Sequence, residues 1–179
     1  RVLGSKWGAI VMSVDVLKGV VATSLYILIP FYMHNEWDRT NLMVGLELAA
    51  VVGHIFPFWA DFRGGKGVAT LFGMILAIQP IVAVYCVGVF LLCLYLTRFV
   101  SLSSILASIA FAVLILFIFN EKEPLYRAFA IAVALLVILT HQKNISRMLR
   151  GSESKIPILK YRDKKRHRRP GSEMENGKN

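Results

Sequence analysis

The sequence predicts an all-α fold, a polytopic transmembrane helical bundle, and three observations predict it. Hydrophobic residues fill 56% of the 179 positions and charged residues only 18%, so the average residue prefers hydrocarbon to water. The apolar residues gather in five or six long stretches separated by short polar loops, the pattern of successive membrane-crossing helices. The only long polar segment is C-terminal, which leaves no aqueous globular domain. Residues 1–150 read as the transmembrane domain and 151–179 as a basic tail. The net charge of +10 is uneven, because the last 39 residues hold 12 Lys and Arg against 4 Asp and Glu. Lys160, Arg162, Lys164, Lys165, Arg166, Arg168 and Arg169 read as a cytoplasmic end meeting anionic lipid headgroups rather than as a nucleic-acid site.

Trp7 to Pro30 is long enough for one span, with Trp7 and Tyr32 where interfacial aromatics belong. It contains Asp15 and Lys18, unlike a signal peptide. The loop of His34, Asn35, Glu36, Asp38 and Arg39 follows, then a second span over Leu42 to Trp59 and a basic loop from Asp61 to Lys66. Val68 to Thr97 is almost unbroken apolar sequence except for Gln79 and Pro80. A turn there puts Arg63, Lys66, Arg98 and the tail on one membrane face and the acidic loops at 34–39 and 120–124 on the other. Ser101 to Phe119 and Leu125 to Thr140 complete six spans. The stretch Val68 to Ile78 is only about 16 Å long as a helix, hence short or partly re-entrant. Cys86 and Cys93 lie about 10 Å apart along one helix, too far to bridge, and read as core thiols.

Asp15 and Lys18, three apart, share one helical face inside the first span. They form either a buried ion pair that orients helices or a support for a polar site in the bundle interior. Glu47 poses the same question and reads as a helix-packing partner. The run Arg63-Gly64-Gly65-Lys66-Gly67-Val68-Ala69-Thr70 reads as a phosphate cradle, with a flexible cytoplasmic turn as the alternative on spacing alone: glycines let backbone N–H groups approach an anion, Lys66 adds a point charge, and a helix N-terminus follows. It is not a nucleotide-binding P-loop, since Gly rather than Ser or Thr follows Lys66. His141, Asn144 and Arg147 at i, i+3 and i+6 keep within about 120° of one another on a helix, and form either one patch with a proton acceptor, an amide and a guanidinium or an interfacial His leaving the membrane beside two polar neighbours. No His is followed by Asp five residues on, the pairing of acyltransferases that use acyl thioesters, and neither a Ser-His-Asp triad nor a zinc cluster has candidates.

With these residues set out, the chain resembles the bacterial acyl-phosphate:glycerol-3-phosphate acyltransferase family, PlsY, over essentially its whole length. Three blocks carry the resemblance: Gly53, His54, Phe56 and Pro57 followed by Arg63 to Thr70; His141, Asn144, Ile145, Arg147, Gly151 and Glu153; and Asp15, Lys18 and Gly19. The family's first motif matches only through Arg1, and Ser5 is not assigned its serine role. The first helix and most of the first motif are therefore expected to be absent, so that six spans stand here for the family's seven.

The resemblance implies a multi-pass bacterial inner-membrane enzyme with its active-site loops and C-terminus cytoplasmic. It moves a fatty acyl group from acyl phosphate to the 1-hydroxyl of glycerol 3-phosphate, giving lysophosphatidic acid and phosphate, without a metal or other cofactor. His141, Lys66 and Asn144 are its expected catalytic residues. Arg1, Gly64, Gly65, Gly67, Thr70, Arg147, Gly151 and Glu153 are expected to bind substrate, with Asp15, Lys18 and His54 as intramembrane support. A transporter or channel for a phosphorylated solute is the competing class, its path lined by Asp15, Lys18 and Glu47. No internal repeat pairs one half of the chain with the other, which weighs against it.

Overall fold

The computed structural model describes residues 4–28, 36–62 and 64–156, and every regular element among them is helical. In chain order these are α1 (Gly4–Ser24), which tightens into a 3-10 turn at Leu25–Leu28, and α2 (Glu36–Ile55). They are followed by α3 (Val68–Ile78), α4 (Pro80–Thr97) and α5 (Val100–Val113), which runs into a π turn at Leu114–Ile118. α6 (Pro124–Thr140) and α7 (Gln142–Leu149) complete the described chain. Among the described residues, four helical segments are long and apolar enough to cross a membrane: Lys6–Leu28, Arg39–Ala60, Pro80–Thr97 and Val100–Ile118. α6 and α7 make a fifth if the pair, bent by 55°, is one span. The expected sixth, α3, has eleven residues and falls below spanning length. The chain is a membrane protein, and side chains such as Val11, Leu17, Tyr85, Leu92 and Leu96 turn apolar surface outward for lipid.

Local chemistry sets the boundaries. Pro80 and Pro124 occupy the first turns of α4 and α6, where a missing N–H costs nothing. Pro80 also pushes Gln79 out of the helical region, to φ −138°, ψ 79°, which ends α3. The turn expected at Gln79 and Pro80 is therefore present. Two expectations need correction. The polar loop placed at 34–39 gives way to helix from Glu36 onward. The single helix expected to carry His141, Asn144 and Arg147 is broken at His141.

α3 packs against α1, α2 and α4. Its contact with α1 is backbone to backbone. A Cβ added at Gly19 would overlap the carbonyl oxygen of Thr70, and one added at Gly73 would overlap that of Val16. Small residues at such a crossing let dispersion contacts accumulate where lipid gives no hydrophobic drive for helices to associate. Around it lies a core of Val44, Val51, Leu71, Met74, Val82, Phe111 and Tyr126, in which Tyr126 stacks on Phe129.

Polar contacts gather at the two ends of this core. At one end Gln79 Nε2 donates to Glu121 Oε2 at 3.0 Å, and Arg39 donates to the Tyr26 hydroxyl at 2.6 Å. At the other lie His54, the 64–67 loop, the α4–α5 turn and α7.

Candidate active site

α2 ends at Ile55, and its last carbonyls lack partners within the helix. The chain turns through Pro57, whose carbonyl accepts from the N–H groups of Ala60 and Phe62, both at 3.1 Å. It then folds back so that Gly64 N–H donates to Ile55 O at 3.1 Å and Gly65 N–H to His54 O at 3.2 Å. Glycine is required at both positions by space. A Cβ on Gly64 would overlap the His54 and Ile55 carbonyls, and one on Gly65 would overlap the His54 ring. The cradle is thus narrower than the sequence predicts, because the amides of Gly64 and Gly65 point at α2. Gly67 follows in the left-handed region (φ 77°) and starts α3 with no side chain capping its first turn, so the N-terminus facing the site keeps its appetite for an anion.

Lys66 reaches from this loop across the end of the bundle. Its Nζ donates to Asn144 Oδ1 at 2.6 Å, 78 positions away in sequence. Partial burial lowers its pKa and the nearby Arg147 lowers it further, while Glu153 acts to raise it. A less hydrated ammonium is a stronger partner for phosphate.

His141 occupies the bend between α6 and α7. It is 2% exposed, and its Nδ1 lies 2.7 Å from the Val137 carbonyl, a distance at which Nδ1 carries the proton and donates. Nε2 is then the unprotonated edge of the neutral ring. The His141 carbonyl accepts from the N–H groups of Asn144 and Ile145, both at 2.9 Å, which starts α7.

Glu153 organises the far side. Its Oε1 accepts from Asn144 Nδ2 at 2.7 Å and Ser101 Oγ at 3.1 Å, and its Oε2 accepts from Arg147 Nε at 2.7 Å. The bond from Arg147, then that from Asn144, hold its carboxyl down to about 2, against the opposing effect of burial. Gly151 brings it there: α7 closes with Gly151 N–H on the Met148 carbonyl at 3.0 Å and Ser152 N–H on the Arg147 carbonyl at 2.8 Å, a Schellman turn that needs the positive φ of 68° at Gly151.

Lys66, Asn144, Glu153 and Arg147 thus form one connected polar network, with His141 at its base. Asp15, Lys18 and His54 form a second cluster beside the glycine loop. Lys18 Nζ donates to Asp15 Oδ1 at 2.7 Å and to His54 Nδ1. Thr70 is elsewhere, fully buried at the α1–α3 crossing. Arg1 and Arg63 lie outside the described residues. Ser101 is the site residue that sequence reasoning missed, one serine among three at the start of an apolar helix.

The profile of the family described as glycerol-3-phosphate acyltransferase matches residues 1–151. The chain belongs to the glycerol-3-phosphate acyltransferase family. Among its relatives, the glycerol-3-phosphate acyltransferase of Chlorobium chlorochromatii is 38% identical, over 90% of this chain and 80% of that protein. The corresponding protein of Listeria monocytogenes is 41% identical, over 87% of this chain and 75% of that one. Among solved structures, the glycerol 3-phosphate form of PlsY (YgiH), an integral membrane glycerol 3-phosphate acyltransferase, superposes with a TM-score of 0.74. It is 36% identical over 87% of this chain and 74% of that one.

Proposed function

We propose that this chain transfers a fatty acyl group from acyl phosphate to the 1-hydroxyl of glycerol 3-phosphate, at the cytoplasmic face of a bacterial inner membrane. The bond from Lys66 to Asn144 carries the reading, because it joins the glycine loop to the α7 network and creates one cationic site for two phosphates. Acyl phosphate is a mixed anhydride whose phosphate leaves readily, so the protein's task is to hold two anions together and stabilise the developing oxyanion.

Lys66 and the α3 N-terminus hold the phosphate of the donor, while Asn144, Arg147 and Arg1 hold glycerol 3-phosphate. Nε2 of His141 takes the proton as the glycerol 1-hydroxyl attacks the acyl carbonyl carbon. The carbonyl–phosphate C–O bond then breaks, giving lysophosphatidate and inorganic phosphate, with no covalent acyl-enzyme. Glu153 and Gly151 act on substrate through Asn144 and Arg147. Gly64 and Gly65 act by placing Lys66. The bundle crosses the membrane six times, with α3 as the short crossing, because its ends bear the Lys66 and Gln79 contacts at opposite ends of the core.

The test is acyl transfer from palmitoyl phosphate to labelled glycerol 3-phosphate in membranes containing the chain, with palmitoyl thioesters in parallel and Lys66→Ala as control. Lysophosphatidate should form from acyl phosphate alone and fall at least roughly a hundredfold in the control. Equal use of the thioester, or full turnover by Lys66→Ala, would refute the donor or the role of Lys66 respectively.

A further inference from the structure

The Asp15–Lys18–His54 cluster, which joins α1 to α2, does more than pair charges. Lysine has only donors to offer, so the contact of Lys18 Nζ with His54 Nδ1 requires that nitrogen to accept. The neutral ring therefore keeps its proton on Nε2. That edge faces the glycine loop: a Cβ built on Gly65 would overlap Nε2. The backbone of the same histidine also accepts from Gly65 N–H, at 3.2 Å. Asp15 Oδ1 lies 2.7 Å from Lys18 Nζ and 3.4 Å from His54 Nδ1, so the carboxylate fixes the lysine that fixes the ring. Helix pairing does not need this cluster. α1 meets α2 again at Thr23 and Glu47, and α1 meets α3 at the Gly19 and Gly73 crossing.

We propose that Asp15, Lys18 and His54 form one positioning unit that fixes the 64–67 loop against α2 and thereby sets where the Lys66 ammonium stands. The inference rests on the assignment of Lys66 to the reacting phosphate. All three residues act through Lys66 and none touches substrate. A polar triad placed between two apolar helices then has a purpose beyond self-neutralisation, since its third member is aimed at the loop that carries the cation.

The test uses the full chain in lipid nanodiscs and two readouts, hydrogen exchange at the amides of Gly64 and Gly65 and steady-state acyl transfer. His54→Leu should speed exchange at both amides at least tenfold while amides in the α3–α6 core keep their rates. Its kcat/KM should fall roughly ten- to a hundredfold, as expected when a catalytic group moves by about 1 Å. His54→Asn, whose side-chain oxygen can accept from Lys18 in place of Nδ1, should recover most of both; a merely space-filling role would not distinguish the two variants. If His54→Leu fails to fold, Lys18→Met carries the same test, because it keeps the bulk and removes the donor. Unaltered exchange and turnover in these variants, with Lys66→Ala inactive, would overturn the positioning unit alone. Full turnover by Lys66→Ala would instead overturn the assignment beneath it.

Discussion

Two glycine turns flank the polar end of the bundle, and they require glycine for different reasons. At Gly64 and Gly65 the requirement is room, because the chain presses against the carbonyls that end α2 and against the His54 ring. At Gly151 nothing stands within 4 Å of an added Cβ, and the requirement is the left-handed backbone that turns the chain from α7 back to Glu153. The first turn is held by crowding and the second by dihedral preference. Their tolerance of substitution must differ accordingly.

The largest effect is expected from Gly65→Ala. The added methyl must displace His54 or the loop, so acyl transfer should fall roughly a hundredfold or more. No replacement larger than glycine should restore it, which a kinetic series of Ala, Ser and Asn at this position would show. Next comes Glu153→Gln, which removes the charge that Arg147 and Asn144 hold. Because its carboxyl is held down to about 2 in the fold, against about 4.5 when free, its stabilising contribution is complete above the free value and is lost as pH falls through the folded one. Hydrogen exchange at residues 147–153 of the native chain should therefore be flat from pH 7 to 5, after correction for intrinsic rates, and open below that. The glutamine variant should be open at every pH.

Gly151→Ala should cost about 1 kcal/mol of local stability, and Gly151→Asn should cost less, since Asn tolerates the left-handed region. Comparing the two by exchange at Ser152 separates dihedral preference from crowding, as the same pair at Gly65 should not differ in that order. Ser101→Ala should give the smallest effect, about 1 kcal/mol for one hydrogen bond, seen as a few-fold loss of turnover with the Lys66 contact intact.

How much of this was legible in the sequence follows from how local each feature is. The Asp15–Lys18 pair was legible because i and i+3 meet on any helix, and the break at Gln79 because a proline fixes its neighbour. The bend at His141 was not, since neither Gly nor Pro marks Thr140 to Gln142 and the apolar pattern runs straight into the polar one. The glycine loop was legible as a place of close backbone approach, but the sequence pointed its N–H groups at a phosphate, and those of Gly64 and Gly65 bond to α2. They do so because carbonyls left without partners at a helix end draw the first available N–H groups. The meeting of Lys66 with Asn144 depends on the stacking of four helices, and no spacing encodes it. Ser101 became visible only once Glu153 had been folded back onto it.

The α1–α3 crossing also bears on how the protein is made. With eleven residues, α3 is too short to be recognised and released into the bilayer as an independent span, which takes about 20. Its place must be prepared by its neighbours, and Gly19 and Gly73 supply the matching notches into which the two backbones settle. α1, which precedes α3 in the chain, offers the surface against which so short a helix packs. A side chain at either notch would press the two backbones apart and so be felt in how the bundle assembles, before any substrate is met.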